Sequence, residues 1–214
     1  MNPLMQFKRI SLSLLIATAS LICVFASLTL WAQRQQSVPA GGDGAKVFSV
    51  SSTTFTNDGT LPLITVFNAC PYYPGGSDES PELSWTNVPQ RTQSFVVVAF
   101  DVTASFTHWG MYNISASSTG LPLNAGIPGS PDGTQVANDF GDLSYDGPCP
   151  PPQFIPVSHT YVFTVYALDI VLLTLPPHGA FPPGAEALYQ ALIAAARDKH
   201  ILDSASIVGH FPQP

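Results

Sequence analysis

Positive charge is scarce in this chain: 7 Lys and Arg stand against 14 Asp and Glu in 214 residues. Two of the seven, Lys8 and Arg9, sit at the start, so residues 33–214 hold 5 against 14 and a net charge of −9. A surface of that sign excludes general binding to nucleic acid or anionic lipid and leaves room for an anion only at a local site. Catalytic signatures are missing too. There is no GxSxG elbow and no serine in an obvious nucleophile motif, and neither HxxxH nor CxxC spacing announces a zinc site. Cysteine is limited to Cys23, Cys70 and Cys149, and no internal repeat is visible.

What is present begins with a leader. Lys8 and Arg9 precede 23 uncharged residues, 10–32, rich in Leu, Ile, Ala and Ser. A basic start, an apolar run and small residues near its end make up a secretory signal, with cleavage after Ala26 or Ala32. The same run is long enough to span a bilayer uncleaved, so signal and anchor both remain open. Either route exports the remainder of the chain. Ile22 is too bulky before Cys23 for a lipoprotein site. Residues 33–46 (QRQQSVPAGGDGAK) read as a flexible linker, and 47–214 as one domain of ordinary size. Export leaves Cys70 and Cys149. An even count in an oxidising compartment favours a disulfide, two separate thiols being the alternative. A bridge would tie residues 69–71 to the loop 145–151.

Strand signals dominate. The run 94–101 (SFVVVAFD) is continuously apolar, as a strand covered on both faces would be. Residues 108–114 (HWGMYNI) and 161–169 (YVFTVYALD) are rich in aromatic and β-branched side chains. Shorter candidates are 48–51, 63–67, 82–86 and 207–211. One helix is expected over 185–199 (AEALYQALIAAARDK), opened by Pro182-Pro183-Gly184 and apolar at Leu188, Leu192 and Ala195 or Ala196. The class is therefore mainly β. The long connection 115–143 has little periodic signal, and such loops often carry function.

Three places could hold chemistry. Asp101 ends one strong strand and His108 begins the next, so a hairpin would bring carboxylate and imidazole together at its mouth. The plain alternative is an Asp capping a turn and a His half-buried beside Trp109. His159 precedes Tyr161 by two, which puts both on one side of a strand; a surface histidine at a strand start is the alternative there. Between them lies YDGPCPP (145–151), whose prolines lock φ and lack an amide hydrogen, so the loop is stiff without a hydrogen-bond ladder.

These pieces, in order, resemble the phosphatidylethanolamine-binding protein family, in its bacterial Raf kinase inhibitor-like branch. The matching segments are SPELSW (80–85), VVVAFDVTA (96–104), THWGMYNI (107–114), NDFG (138–141), YDGPCPP (145–151) and SHTYVFTVYALD (158–169), then the helix and IVGHF. The resemblance implies a β-sandwich with a large central antiparallel sheet, Greek-key connections and a C-terminal helix. It also implies a pocket for a small anion (phosphate, phosphoethanolamine or a carboxylate) built from Asp101, His108, Tyr145, Gly147, Pro150, Pro151, His159 and Tyr161. Two departures stand out. Val102-Thr103 replaces the proline and second carboxylate of the family's DPD, and Thr160 replaces the arginine after His159. The segment from Pro151 to His159 is also longer than the family's usual link.

On this reading the protein is a non-catalytic binding protein without cofactor. His108 and His159 donate to the anion, and Asp101 orients one imidazole or accepts from a ligand amine. A protein target is the second kind of partner, with inhibition of a kinase or protease as the role. Nucleic acid is excluded, and membrane contact is confined to an uncleaved leader. The alternative is a hydrolase or metal-assisted enzyme using Asp101, His108 and His159.

Overall fold

The computed structural model describes residues 46–153, 157–176 and 184–213. The leader 1–32, linker residues 33–45, and Pro182 and Pro183 at the expected helix start lie outside the described residues. Among the described residues no helix is long and apolar enough to cross a membrane.

The strands in chain order are β1 (Ser49–Ser51), β2 (Gly59–Thr60), β3 (Leu83–Thr86), β4 (Ser94–Asp101), β5 (Phe106–Ser115), β6 (Gly120–Leu121), β7 (Thr134–Val136), β8 (Ser158–Leu168) and β9 (Ile201–Pro212). Helix α1 (Glu186–Arg197) lies between β8 and β9. The larger sheet has the order β2-β9-β8-β4-β5-β7, and a smaller one the order β1-β3-β6. All neighbours are antiparallel except β2 and β9, which run parallel.

β4 explains the architecture. Its side chains alternate between faces, and both faces are covered. Phe95, Val97 and Ala99 enter a core shared with Leu83 and Trp85 of the smaller sheet. Val96 and Val98 enter a second core with Leu188, Leu192 and Ala195 of α1. That is why the strand reads as an unbroken apolar run. Gly110 of β5 lets the helix approach, because a Cβ there would lie 2.7 Å from Val136 and 3.0 Å from Leu188.

Three expectations are corrected. Residues 63–67 do not form a strand. Pro62 precedes a 3-10 turn, Leu63–Thr65, in which both the amide and the hydroxyl of Thr65 donate to the Pro62 carbonyl. The helix is followed by β9, twelve residues long, of which only 207–211 was expected. Its polar first half is held by pairing along β8 from Leu168 to Thr164. Finally, the connection 115–143 contains β6 and β7.

Candidate functional site

Asp101 ends β4 with Phe106 of β5 on one flank and Tyr161 of β8 on the other. His159 lies two residues before Tyr161 and shares its buried side of β8. His108 reaches that side through an irregularity. In the β4–β5 ladder Ala99 pairs with Trp109 and Phe100 with Thr107, so His108 is the extra residue of a β-bulge. A bulge re-aims a side chain. Here it turns His108 to the same face as Trp109, and the two histidines, Asp101 and Tyr161 meet at one cavity.

The cavity is about 190 Å³. Asp101, His108, His159 and Tyr161 supply its polar groups, and Ala104, Phe106, Phe140, Cys149, Pro150 and Pro151 its remaining walls. Asp101 is 1% exposed. Its Oδ1 accepts the backbone amides of Thr103 (2.8 Å) and Ala104 (3.1 Å), closing the β4–β5 turn. Its Oδ2 lies 2.5 Å from His159 Nδ1. Asp101 thus does cap a turn, and it orients an imidazole, that of His159. The other His159 nitrogen, Nε2, lies 3.1 Å from the side-chain amide of Gln213. His159 therefore has no free N–H to donate to a ligand, contrary to the sequence expectation.

His108 differs. Its Nδ1 lies 2.6 Å from the Asp146 carbonyl, which can only accept, so Nδ1 carries the hydrogen. The Asp146 amide in turn donates to the His108 carbonyl. Nε2 has no partner among the described residues, and no unpartnered buried side-chain nitrogen or oxygen exists among them, so Nε2 reaches open space at the cavity. Burial pushes this imidazole below its ordinary value, against the Asp146 carbonyl and the carboxylates of Asp101 and Asp139, which favour the charged form. Burial, with the Asp101 carboxylate adding to it, pushes the Tyr161 phenol well up. Among the described residues no lysine or arginine lines the cavity.

The proline loop forms a wall. Pro150 and Pro151 face the cavity, as does Cys149, which is bonded to Cys70. Tyr145 and Gly147 do not line it. Tyr145 is buried behind the wall, its hydroxyl donating to the Thr65 carbonyl at 2.9 Å and its ring edge-on to Trp109. Gly147 lies so close to the 3-10 turn that a Cβ would be 1.8 Å from the Thr65 carbonyl oxygen. Its amide donates to Asp78 Oδ1 at 2.7 Å. Both residues seat the loop from behind the cavity wall.

Phe106 and Phe140 were not assigned from sequence, although both lie in or beside the quoted segments. Their rings meet edge-on at 4.6 Å, and Phe140 is 49% exposed at the rim. Asn138 holds the NDFG turn, accepting from the amides of Phe140 and Asp142 and donating to the Ser144 carbonyl and the Asp146 carboxylate. Through Asp146 this turn connects to His108. Asp78 and Gln213 carried no signal, because their partners are distant in the chain.

Comparison with known proteins identifies a family. A family model described as phosphatidylethanolamine-binding protein covers residues 51–212. The UPF0098 protein YbhB of Escherichia coli is 41% identical over 117 residues, 51% of this chain and 71% of that one. A UPF0098 protein of Pyrococcus abyssi is 31% identical over 175 residues, 79% and 87% of the two chains. Among solved structures, E. coli YbcL, described as a new member of the mammalian PEBP family, superposes with a TM-score of 0.61 at 29% identity, covering 77% of this chain and 97% of its own. Since the family model spans most of the chain, the chain belongs to the phosphatidylethanolamine-binding protein family.

Proposed function

We propose that this is an exported, non-catalytic binding protein whose cavity takes a small oxyanion (phosphate, a phosphate monoester such as phosphoethanolamine, or a carboxylate) together with a proton. The observation that carries this reading is His108. Its Nδ1 is committed to the Asp146 carbonyl and its Nε2 is unpartnered at the cavity. A proton arriving at Nε2 would create a charge-assisted donor, shorter and stronger than a neutral one. Since no cation of the described residues lines the walls, that proton is the positive charge an anion would need. Asp101 Oδ2 keeps acceptor capacity for a P–OH or an ammonium hydrogen. The volume, about 190 Å³, lies below the ~300 Å³ where pockets for drug-sized molecules begin. That suits a headgroup-sized ligand.

A hydrolase working through a cysteine nucleophile has none here, because the cysteine at the cavity is bonded to Cys70. A metal would have to displace His159 from Asp101 or Gln213 before ligating it. Export is supported by the basic start, the apolar run 10–32 and the disulfide, which persists in oxidising compartments.

Sulfate provides the test, because its charge stays constant over the histidine range. Calorimetric titration at pH 5.5 and 7.5 is expected to give the tighter binding at pH 5.5, and His108→Leu to abolish it. Binding that is equal or weaker at pH 5.5 would count against the site.

A further inference from the structure

Gln213 lies outside the cavity lining, yet it governs a residue that belongs to it. Its Oε1 accepts the backbone amide of Val157 at 2.8 Å. A backbone N–H can only donate, which fixes the orientation of the Gln213 amide and leaves its NH2 facing His159 Nε2 at 3.1 Å. That nitrogen must accept, so the ring hydrogen resides on Nδ1 and is donated to Asp101 Oδ2. At the far end, the Thr103 and Ala104 amides donate to Asp101 Oδ1. Donors therefore run in one direction from Val157 to Asp101, with backbone amides that cannot be reversed at either end. Such chains polarise and strengthen one another.

We infer that Gln213 is a positioning residue of the binding site: it holds His159 as the Nδ1–H tautomer and so makes His108 the single group that takes up a proton with an anion. A proton added to His159 Nε2 would point at the Gln213 NH2, whose turning away would break the bond to Val157. The groups facing His159 are Asp101 on β4, His108 on β5 and Tyr161 on its own strand, with Tyr73 donating to the Pro212 carbonyl next to Gln213. Around His108 stand Asp101, Asp139 and His159. None of these supplies an acceptor at His159 Nε2. The site is thus built for one proton per anion. The consequence for ligand uptake rests on the anion reading above; the tautomer does not.

Two measurements separate these claims. Long-range nitrogen–proton NMR on the full domain without ligand is expected to find His159 Nδ1 protonated and Nε2 bare at pH 7. Gln213→Glu keeps the shape and the Val157 bond but offers an acceptor to Nε2, so both His159 nitrogens are expected to be protonated at pH 7. A His159 found protonated on Nε2 in the native protein, or left unchanged by Gln213→Glu, would overturn the assignment. Sulfate affinity in the native protein is expected to fall about tenfold per pH unit above the His108 transition, the slope of one linked proton. A hundredfold fall per unit would also overturn it. With the tautomer as expected and no sulfate binding at any pH, the anion reading fails and the role of Gln213 stands.

Discussion

Replacing Asp101 by asparagine tests the directed chain of donors at its most constrained point. The isostere keeps an oxygen for the Thr103 and Ala104 amides, held at 2.8 and 3.1 Å, and puts an NH2 where Oδ2 stood, 2.5 Å from His159 Nδ1. Two donors then face each other. Rotating the new amide exposes its NH2 to two backbone donors, and moving the ring hydrogen to Nε2 aims it at the Gln213 amide. Every arrangement leaves a buried donor unmatched. The cost is a hydrogen bond to a charged group, about 1.5–3 kcal/mol, and an unsatisfied buried group, about 1–3 kcal/mol. Their sum, about 2.5–6 kcal/mol, corresponds to a fall in Tm of about 5–24 °C for a domain of this size. Adding Gln213→Glu should reverse the loss. The glutamate accepts from His159 Nε2–H, and Nδ1 then accepts from the Asn NH2, so every group is paired with the direction inverted in the middle. Urea unfolding of the two single variants and the double variant forms the cycle, with an expected coupling of about 1.5–3 kcal/mol in favour of the double. Additive losses, or an Asp101→Asn variant within about 0.5 kcal/mol of the native protein, a shift ordinary for a surface substitution, would refute the reasoning.

The disulfide closes a loop with a sequence separation of 79. Chain entropy alone gives about 4.5 kcal/mol for that length, so Cys70→Ser with Cys149→Ser is expected to lose up to that amount in chemical unfolding. Asp78 gives a pH signature. Burial pushes its carboxyl up to about 6, against the Gly147 amide, with the Asp146 and Asp142 carboxylates adding to the rise. A carboxyl raised in the folded state stabilises below its unfolded value, and that contribution is lost as pH rises from the ordinary carboxylate range through about 6. Asp78→Asn keeps the acceptor for Gly147 and removes the charge. It is expected to flatten this part of the profile and to gain about 1–2 kcal/mol at pH 7, discounted from the full linkage value because the group is only half-buried.

Elements with a single local cause could be read from the sequence. The apolar run of β4 and the Leu188, Leu192 and Ala195 stripe of α1 declared their faces, because each is periodic and each is buried as its pattern demands. Residues 63–67 misled because their strand propensity is genuine, but Pro62 and the hydrogen bonds of Thr65 fold them into the seat of the proline loop. The polar first half of β9 showed no pattern of its own; pairing with β8 makes it a strand. In the site, Asp101, His108, His159 and Tyr161 were recognisable as residue types in family-like segments. Their connections were not. The bulge that turns His108 is a property of two strands in register, and Gln213 lies 54 residues from the histidine it holds.

The two departures from the family pattern bear on whether the cavity keeps its chemistry. Thr103 and Thr160 touch: the Thr160 amide donates to Thr103 Oγ1 at 3.0 Å. An acid and a base are therefore replaced at positions that meet, and neither leaves an unpaired charge behind. Thr160 stands between His159 and Tyr161 on β8, so alternation sends its side chain to the opposite face. There its hydroxyl lies 3.2 Å from His210 Nδ1, and His210 Nε2 lies 2.7 Å from Asp58. The missing arginine thus changes the reverse side of the strand. The carboxylate that matters to the cavity is Asp101, whose contacts to Thr103, Ala104 and His159 use backbone amides and an imidazole that neither departure removes.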